Sequence, residues 1–190
     1  MQTIQNPIIG DKTTFIKTNQ ESLGEKTVLE IILAPRGGNA MHFHKHFTET
    51  FTVIEGELKY QLGKKIFTLN PGQSSTIPIN APHRFFSTSN QPTKFICELN
   101  PGSDGFENAL HIAYGLANDK KCNNKAVPKN FYHLALVFEM SQSYLVGIFS
   151  LITPILKIAA KRARKKGIEK ELLGKYCIKY YNIINRSCSF

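Results

Sequence analysis

The chain has 190 residues, 42% hydrophobic and 20% charged, ordinary values for a globular protein and enough chain for one substantial core. Its four cysteines (Cys97, Cys122, Cys177, Cys188) are scattered with no CxxC pair, which argues against a disulfide framework and for reduced thiols in a cytoplasmic protein. The formal charge of +10 is unevenly placed: residues 1–119 hold 10 Lys and Arg against 11 Asp and Glu, and residues 120–190 hold 14 against 3.

The opening, MQTIQNPIIGDK, has no basic patch followed by an apolar run, so no signal peptide is expected. No internal repeat or low-complexity tract follows. From residue 12 to residue 100 the pattern is of short strands broken by turn residues. TVLEIILA (27–34) is β-branched and stops at Pro35-Arg36-Gly37-Gly38. TFTVIEGELKYQL (50–62) alternates on both sides of Gly56, which predicts a hairpin there. KIFTL, STIPI, HRFFS and KFICEL follow, separated by Gly, Pro, Asn and Ser. Many short strands with no helix between them predict an antiparallel sandwich or barrel.

Pro101-Gly102 ends this region. Asp104 with Glu107 three residues on predicts a capped helix start, and Phe106, Leu110, Ala113, Tyr114 and Ala117 continue at helical spacing. Residues 118–130 read as a polar, basic connector. Residues 131–185 read as helical, interrupted at Pro154 and near Gly167. The organisation expected is therefore a β-barrel domain over residues 1–102 and a basic helical extension over 103–190.

Chemistry concentrates in MHFHKHFTETF (41–51). Side chains alternate along a strand, so His42 and His44 point one way with Phe43 opposite. Glu49 lies far enough on for the chain to turn into the next strand, where it shares a face with Phe51 and Val53. A fourth ligand has to come from a neighbouring strand, and His83 in PGQSSTIPINAPHRFFS is the candidate. Three neutral imidazoles and a carboxylate suit one divalent first-row metal ion, Fe, Mn, Ni or Zn, with positions left for water or a small ligand. The competing reading is a metal-free barrel with a polar interior. His46 falls in the turn between the two ligand-bearing strands.

These two segments resemble the paired motifs of the cupin superfamily, small jelly-roll β-barrels. The first reads Gly37, a spacer, His42-Phe43-His44, four residues, Glu49, six residues, Gly56. The second reads Gly72, five residues, Pro78-Ile79-Asn80, two residues, His83, three residues, Ser87. Asn80 stands where the family has glycine, Ser87 where it has asparagine, and the first glycine is one residue close. Asparagine tolerates the left-handed backbone that glycine usually serves. The resemblance implies a mainly β fold, with His42, His44, Glu49 and His83 as metal ligands. It covers roughly residues 30–100; the whole chain resembles bacterial single-domain cupin-2 proteins with a helical tail. Cupins include dioxygenases, isomerases, decarboxylases, sugar-binding sensors and storage proteins, so fold alone does not name a reaction.

Strand alternation also places Phe51, Val53, Tyr60, Leu62 and Phe85 on the inward face. There they fill the barrel or, if its mouth is open, line a pocket for a compact, fairly apolar small molecule. Arg84 is predicted to face outward. Beside a structural metal-stabilised dimer that holds no ligand, two functions are consistent with this pattern. One is a metal-dependent enzyme, oxygenase-like by analogy of fold. The other is a non-catalytic small-molecule binding or sensing module whose basic tail contacts a membrane surface or a partner protein. Cupins commonly pair their sheets, so a homodimer is the expected state. In the tail, MSQSYLVGIFSLITPIL (140–156) carries no charge and precedes KIAAKRARKK. It is short for a membrane span, which takes about 20 apolar residues. Packing on the barrel or across a dimer is the leading expectation, with peripheral contact to an anionic membrane the alternative. Nucleic acid is not expected: no helix-turn-helix stands out, and the basic cluster lacks interleaved aromatics.

Overall fold

The alternation in TVLEIIL and TKFICELN puts every second side chain into one interior, and that period organises the first half of the chain. The computed structural model describes residues 1–177. Among these, one antiparallel sheet contains β1 (Gln2–Gln5), β2 (Lys12–Lys17), β3 (Thr27–Leu33), β5 (Thr48–Glu55), β8 (Ser74–Ile77) and β10 (Thr93–Asn100), in the order β1-β2-β3-β10-β5-β8. The facing sheet contains β4 (His42–Phe43), β6 (Leu58–Leu62), β7 (Lys65–Leu69), β9 (His83–Phe86) and β11 (Tyr144–Leu145), in the order β11-β4-β9-β6-β7. Between them Phe15, Leu29, Phe47, Phe51, Phe95 and Leu99 form a fully buried core. This is the expected jelly-roll architecture followed by a helical region.

The hairpin predicted at Gly56 does not form. β5 and β6 belong to different sheets, and Gly56, at φ +79°, carries the chain from one sheet to the other. Alternation on both sides of a glycine is the same whether the chain folds back on itself or crosses the sandwich. The turn at Gly63 does close a hairpin, between β6 and β7. Asn80 adopts φ +64°, the left-handed backbone foreseen for it.

Helix α1 (Asp104–Asn118) begins one residue earlier in its cap than expected. Ser103, not Asp104, accepts the Phe106 N–H. Glu107 does not reach back to the cap; it is buried against the barrel, accepting from the Thr27 hydroxyl and the Asn19 N–H. Phe106 and Leu110 pack on the barrel core, while Ile112 and Leu116 join a second core with α2 (Phe131–Ser141), α3 (Thr153–Lys165) and α4 (Ile168–Tyr176). Small Ala159, Ala160 and Ala163 are buried in that second core, and Arg164 ties α2 to α4 through Glu139 and Glu169.

The extension is not continuously helical. Gln142 ends α2 in the left-handed region, and Tyr144–Leu145 then return to the barrel as β11, paired with β4. A 3₁₀ turn, Gly147–Ile152, leads into α3, so Pro154 starts a helix where an interruption was expected. A proline in the first turn lacks only an N–H that has no helical partner anyway. The break near Gly167 occurs as foreseen, between α3 and α4 at φ +76°. Residues 178–185 of the predicted helical stretch, and Cys188, lie outside the described residues. Cys97, Cys122 and Cys177 are buried free thiols.

Candidate metal centre

β4 and β9 lie side by side with His42 opposite His83, so two imidazoles leave one sheet together. Gly38 permits the close approach here: a Cβ at this position would meet the Phe85 carbonyl at 2.7 Å. From the facing sheet, β5 turns Glu49, Phe51 and Val53 inward. His44 follows His42 on the same side, before the chain bends at Lys45 and His46 into β5. His46 is exposed in that bend and lies outside the cluster. The four expected ligands do come together: one nitrogen or oxygen from each of His42, His44, Glu49 and His83 lies within 4.8 Å of all the others. All four are buried, at 8%, 2%, 4% and 1% exposure.

Each imidazole is aimed by a backbone carbonyl. His42 Nδ1 donates to Ala40 O at 2.8 Å, His83 Nδ1 to Ala81 O at 2.9 Å, and His44 Nδ1 to Gln142 O at 3.0 Å. A carbonyl can only accept, so each Nδ1 carries a proton; the neutral His42 and His44 rings turn a bare Nε2 inward, while His83 Nε2 holds toward Glu49 a proton that a bound metal would displace. The third carbonyl belongs to the αL residue at the end of α2, so the helical extension is part of the site's framework.

Burial drives the His42 pKa down to about 4 and lowers that of His44, which keeps both rings neutral. Burial alone would raise Glu49, but the His83 hydrogen bond and the surrounding imidazoles hold it at about 2. For His83 burial opposes the charged form, yet the 2.8 Å contact of its Nε2 with Glu49 Oε2 outweighs it and raises the pKa. The Nε2 atoms of His42 and His44 lie 3.0 Å apart. Two unprotonated lone pairs that close repel unless a cation sits between them. Three inward Nε2 atoms and an ionised carboxylate therefore fit a divalent first-row metal, by donor set and by tautomer.

These shifts have a consequence for the metal-free protein. His42, His44 and the buried His111, itself lowered to about 4, stay neutral in the folded state while the unfolded chain takes up protons below its ordinary value of 6.5. The unfolded state then binds more protons, so stability falls with pH between 6.5 and about 4. His83 runs the other way, its contribution being lost as pH rises through its raised pKa, and it is outnumbered. Urea denaturation in the presence of a chelator at pH 7 and pH 5 is expected to show the lower midpoint at pH 5.

Residues 29–99 match the family described as "Cupin domain". The barrel is a cupin domain. One curated relative, quercetin 2,3-dioxygenase of Bacillus subtilis (strain 168), is 28% identical over 96 residues, which is 50% of this chain and 28% of that protein. The chain thus matches well under half the length of that relative. Solved structures similar to the cupin barrel include KdgF from Halomonas sp., 16% identical with a TM-score of 0.47, covering 53% of this chain and 89% of the other. An RmlC-like cupin from Shewanella frigidimarina is 20% identical with a TM-score of 0.47, covering 54% and 86%.

Beside the cluster, the cupin barrel opens into a cavity of about 370 Å³ that His42 and Glu49 face. Leu29, Ile31 and Phe85 of the barrel form one wall, and Phe106, Leu110 and Phe138 of α1 and α2 roof it. Of the five side chains expected to line a pocket, Phe85 lines this one. Phe51, Val53 and Tyr60 are core, with Leu62 packed against it. They project inward as expected, but interior packing is complete at their level. Tyr60 is fixed there by stacking on Phe67 and by the Ser75 hydroxyl, which donates to its oxygen at 2.8 Å. Arg84 lies outside the cavity, over the Phe86 ring. The roof was not foreseen, although the Phe106, Leu110, Tyr114 period shows which face of α1 is apolar.

Proposed function

We propose that this cupin barrel is a metal-dependent oxygenase acting on a compact, fairly apolar small molecule. The observation that carries the reading is the apolar cavity into which both His42 and Glu49 look. The relative named quercetin 2,3-dioxygenase, similar to this chain over 96 residues, points the same way. His42, His44, Glu49 and His83 would hold the ion. A bound divalent metal supplies Lewis acidity and, with iron, redox chemistry toward dioxygen.

The chain's own residues divide the remaining work. Phe106, Leu110 and Phe138 exclude water and offer flat and branched apolar surface to a ring-sized ligand. Thr13 and Tyr114, whose hydroxyls lie 3.3 Å apart, also reach the cavity and give a ligand hydroxyl or carbonyl a partner. Burial pushes the Cys97 thiol far up, with the Glu49 charge adding to it. The thiol therefore keeps its proton, and its sulfur lies 3.8 Å from Glu49 Oε1, steadying that carboxylate.

The test is to purify the protein without chelators, measure bound metal, and follow oxygen uptake with Fe(II) across phenolic and diketone compounds. Oxygen consumption matched by oxidised product supports the reading. Failure to take up Fe, Mn, Ni or Zn would sink it. Metal loading and ligand binding without oxygen uptake would identify the binding-module alternative instead. Leu110→Trp, which fills the roof, is expected to weaken binding of the active compound more than about tenfold. Metal content, measured by atomic emission, is expected to stay at the level of the parent protein.

A further inference from the structure

Five large apolar side chains are exposed within eleven residues of the extension: Ile148, Leu151, Ile152, Ile155 and Ile158, at 76%, 72%, 41%, 56% and 55%. They run from the 3₁₀ turn into the first half of α3. Scattered exposed hydrophobics are normal on a protein surface, but a contiguous patch marks an interaction site.

The second half of α3 continues the same face with positive charge. At 100° per residue, Ile155, Ile158, Arg162 and Lys165 share one side of the helix, with Lys161 beside them, while Leu156, Ala159, Ala160 and Ala163 occupy the buried side. No Asp or Glu lies anywhere in α3. Arg164 is engaged by Glu139 and Glu169, but Lys161, Arg162 and Lys165 make no ion pair among the described residues.

We infer that this face docks the protein on an anionic lipid surface, with the isoleucine and leucine side chains entering the headgroup boundary and the three basic residues meeting lipid phosphates. An exposed apolar tip leading into a basic stretch is what interfacial anchoring takes, since neither part alone holds a soluble domain to a bilayer. A second copy of the chain is a poorer occupant. Residues 120–190 hold three acids, Glu139, Glu169 and Glu171, and two of them are already on Arg164. A contact between identical patches therefore offers the basic cluster no counter-charge. No helix among the described residues is long and apolar enough to cross a membrane, so the contact is peripheral. It begins three residues beyond Leu145, which lines the cavity. The inference does not depend on the oxygenase reading.

Co-sedimentation of the full chain with vesicles tests it. Binding to equimolar phosphatidylcholine and phosphatidylglycerol is expected to exceed binding to phosphatidylcholine alone by about a hundredfold, and to weaken with salt. The double variant Ile155→Asp/Ile158→Asp and the triple variant Lys161→Gln/Arg162→Gln/Lys165→Gln are each expected to lose most of it. Circular dichroism should show both folded, because all five side chains are exposed. Absent binding, equal binding to both vesicle types, or variants that bind like the parent would overturn the inference. So would concentration-dependent dimerisation that Ile155→Asp abolishes, which would give the patch to a second copy.

Discussion

Replacing His83 with alanine is expected to cut affinity for a divalent metal more than about 100-fold, while His46→Ala leaves it unchanged. Losing a partner that merely orients a metal-bound histidine commonly costs about 10- to 100-fold, and in the proposed site His83 would supply a ligand nitrogen directly. Its removal also strips Glu49 of its closest partner, the Nε2 atom at 2.8 Å. A buried carboxylate left that way tends to protonate and stops serving as an anionic ligand. His46, exposed in the bend four residues after His42, touches none of this. Titration with Co(II), read by its visible absorption, or with Zn(II) by calorimetry, measures both variants. Equal losses would mean that the ligand set is wrong.

That contrast was legible in the sequence because the turn before Glu49 takes His46 out of the strand, and because the second motif, not the strand period, singles out His83. His42 and His44 two apart had to share a face, and the second motif kept the spacing that brings His83 opposite His42. Left-handed Asn80 was likewise readable, since few residues other than glycine accept that backbone. What escaped was whatever depends on the backbone or on tertiary context. The carbonyls of Ala40, Ala81 and Gln142 aim the three imidazoles, and every residue type has a carbonyl. β11 is two residues inside a long uncharged run with a helical character, and only its pairing with β4 makes it a strand. The glycine at 56 could serve a hairpin or a crossing, and alternation does not distinguish them. Glu107 fitted a capping pattern, yet the Thr27 hydroxyl and Asn19 N–H gave it a buried role instead.

Three of these features, Glu107, Gln142 and β11, lie in the helical extension. The extension, expected to pack on the barrel or across a dimer, returns to the barrel three times in the structure. α1 lays Phe106 and Leu110 on the core, Gln142 grips His44, and β11 extends the ligand-bearing sheet. A jelly roll alone would leave the cavity uncovered on this side.

Phe47→Ala tests how tightly core and site are joined, and it is expected to cost about 3–5 kcal/mol of folding stability. Phe47 is 2% exposed, and its ring lies 4.4 Å from that of His44 and edge-on to Phe106 at 5.7 Å. It therefore connects a ligand-bearing loop to the helix that roofs the cavity. Truncation removes the buried ring, leaves a void that close packing cannot refill, and frees the His44 imidazole on one side. His44 keeps its Gln142 carbonyl, so metal binding should weaken by roughly tenfold, as for loss of an orienting contact, and not vanish. Phe67→Ala is the control: that ring is 38% exposed on the sheet's outer strand and stacks on Tyr60, away from the cluster. It is expected to cost less than about 1.5 kcal/mol and to leave metal affinity alone. Guanidinium denaturation of the metal-free proteins, with a metal titration of each folded variant, separates the two effects. A Phe47→Ala protein with unchanged metal affinity would show that His44 is held by its carbonyl alone.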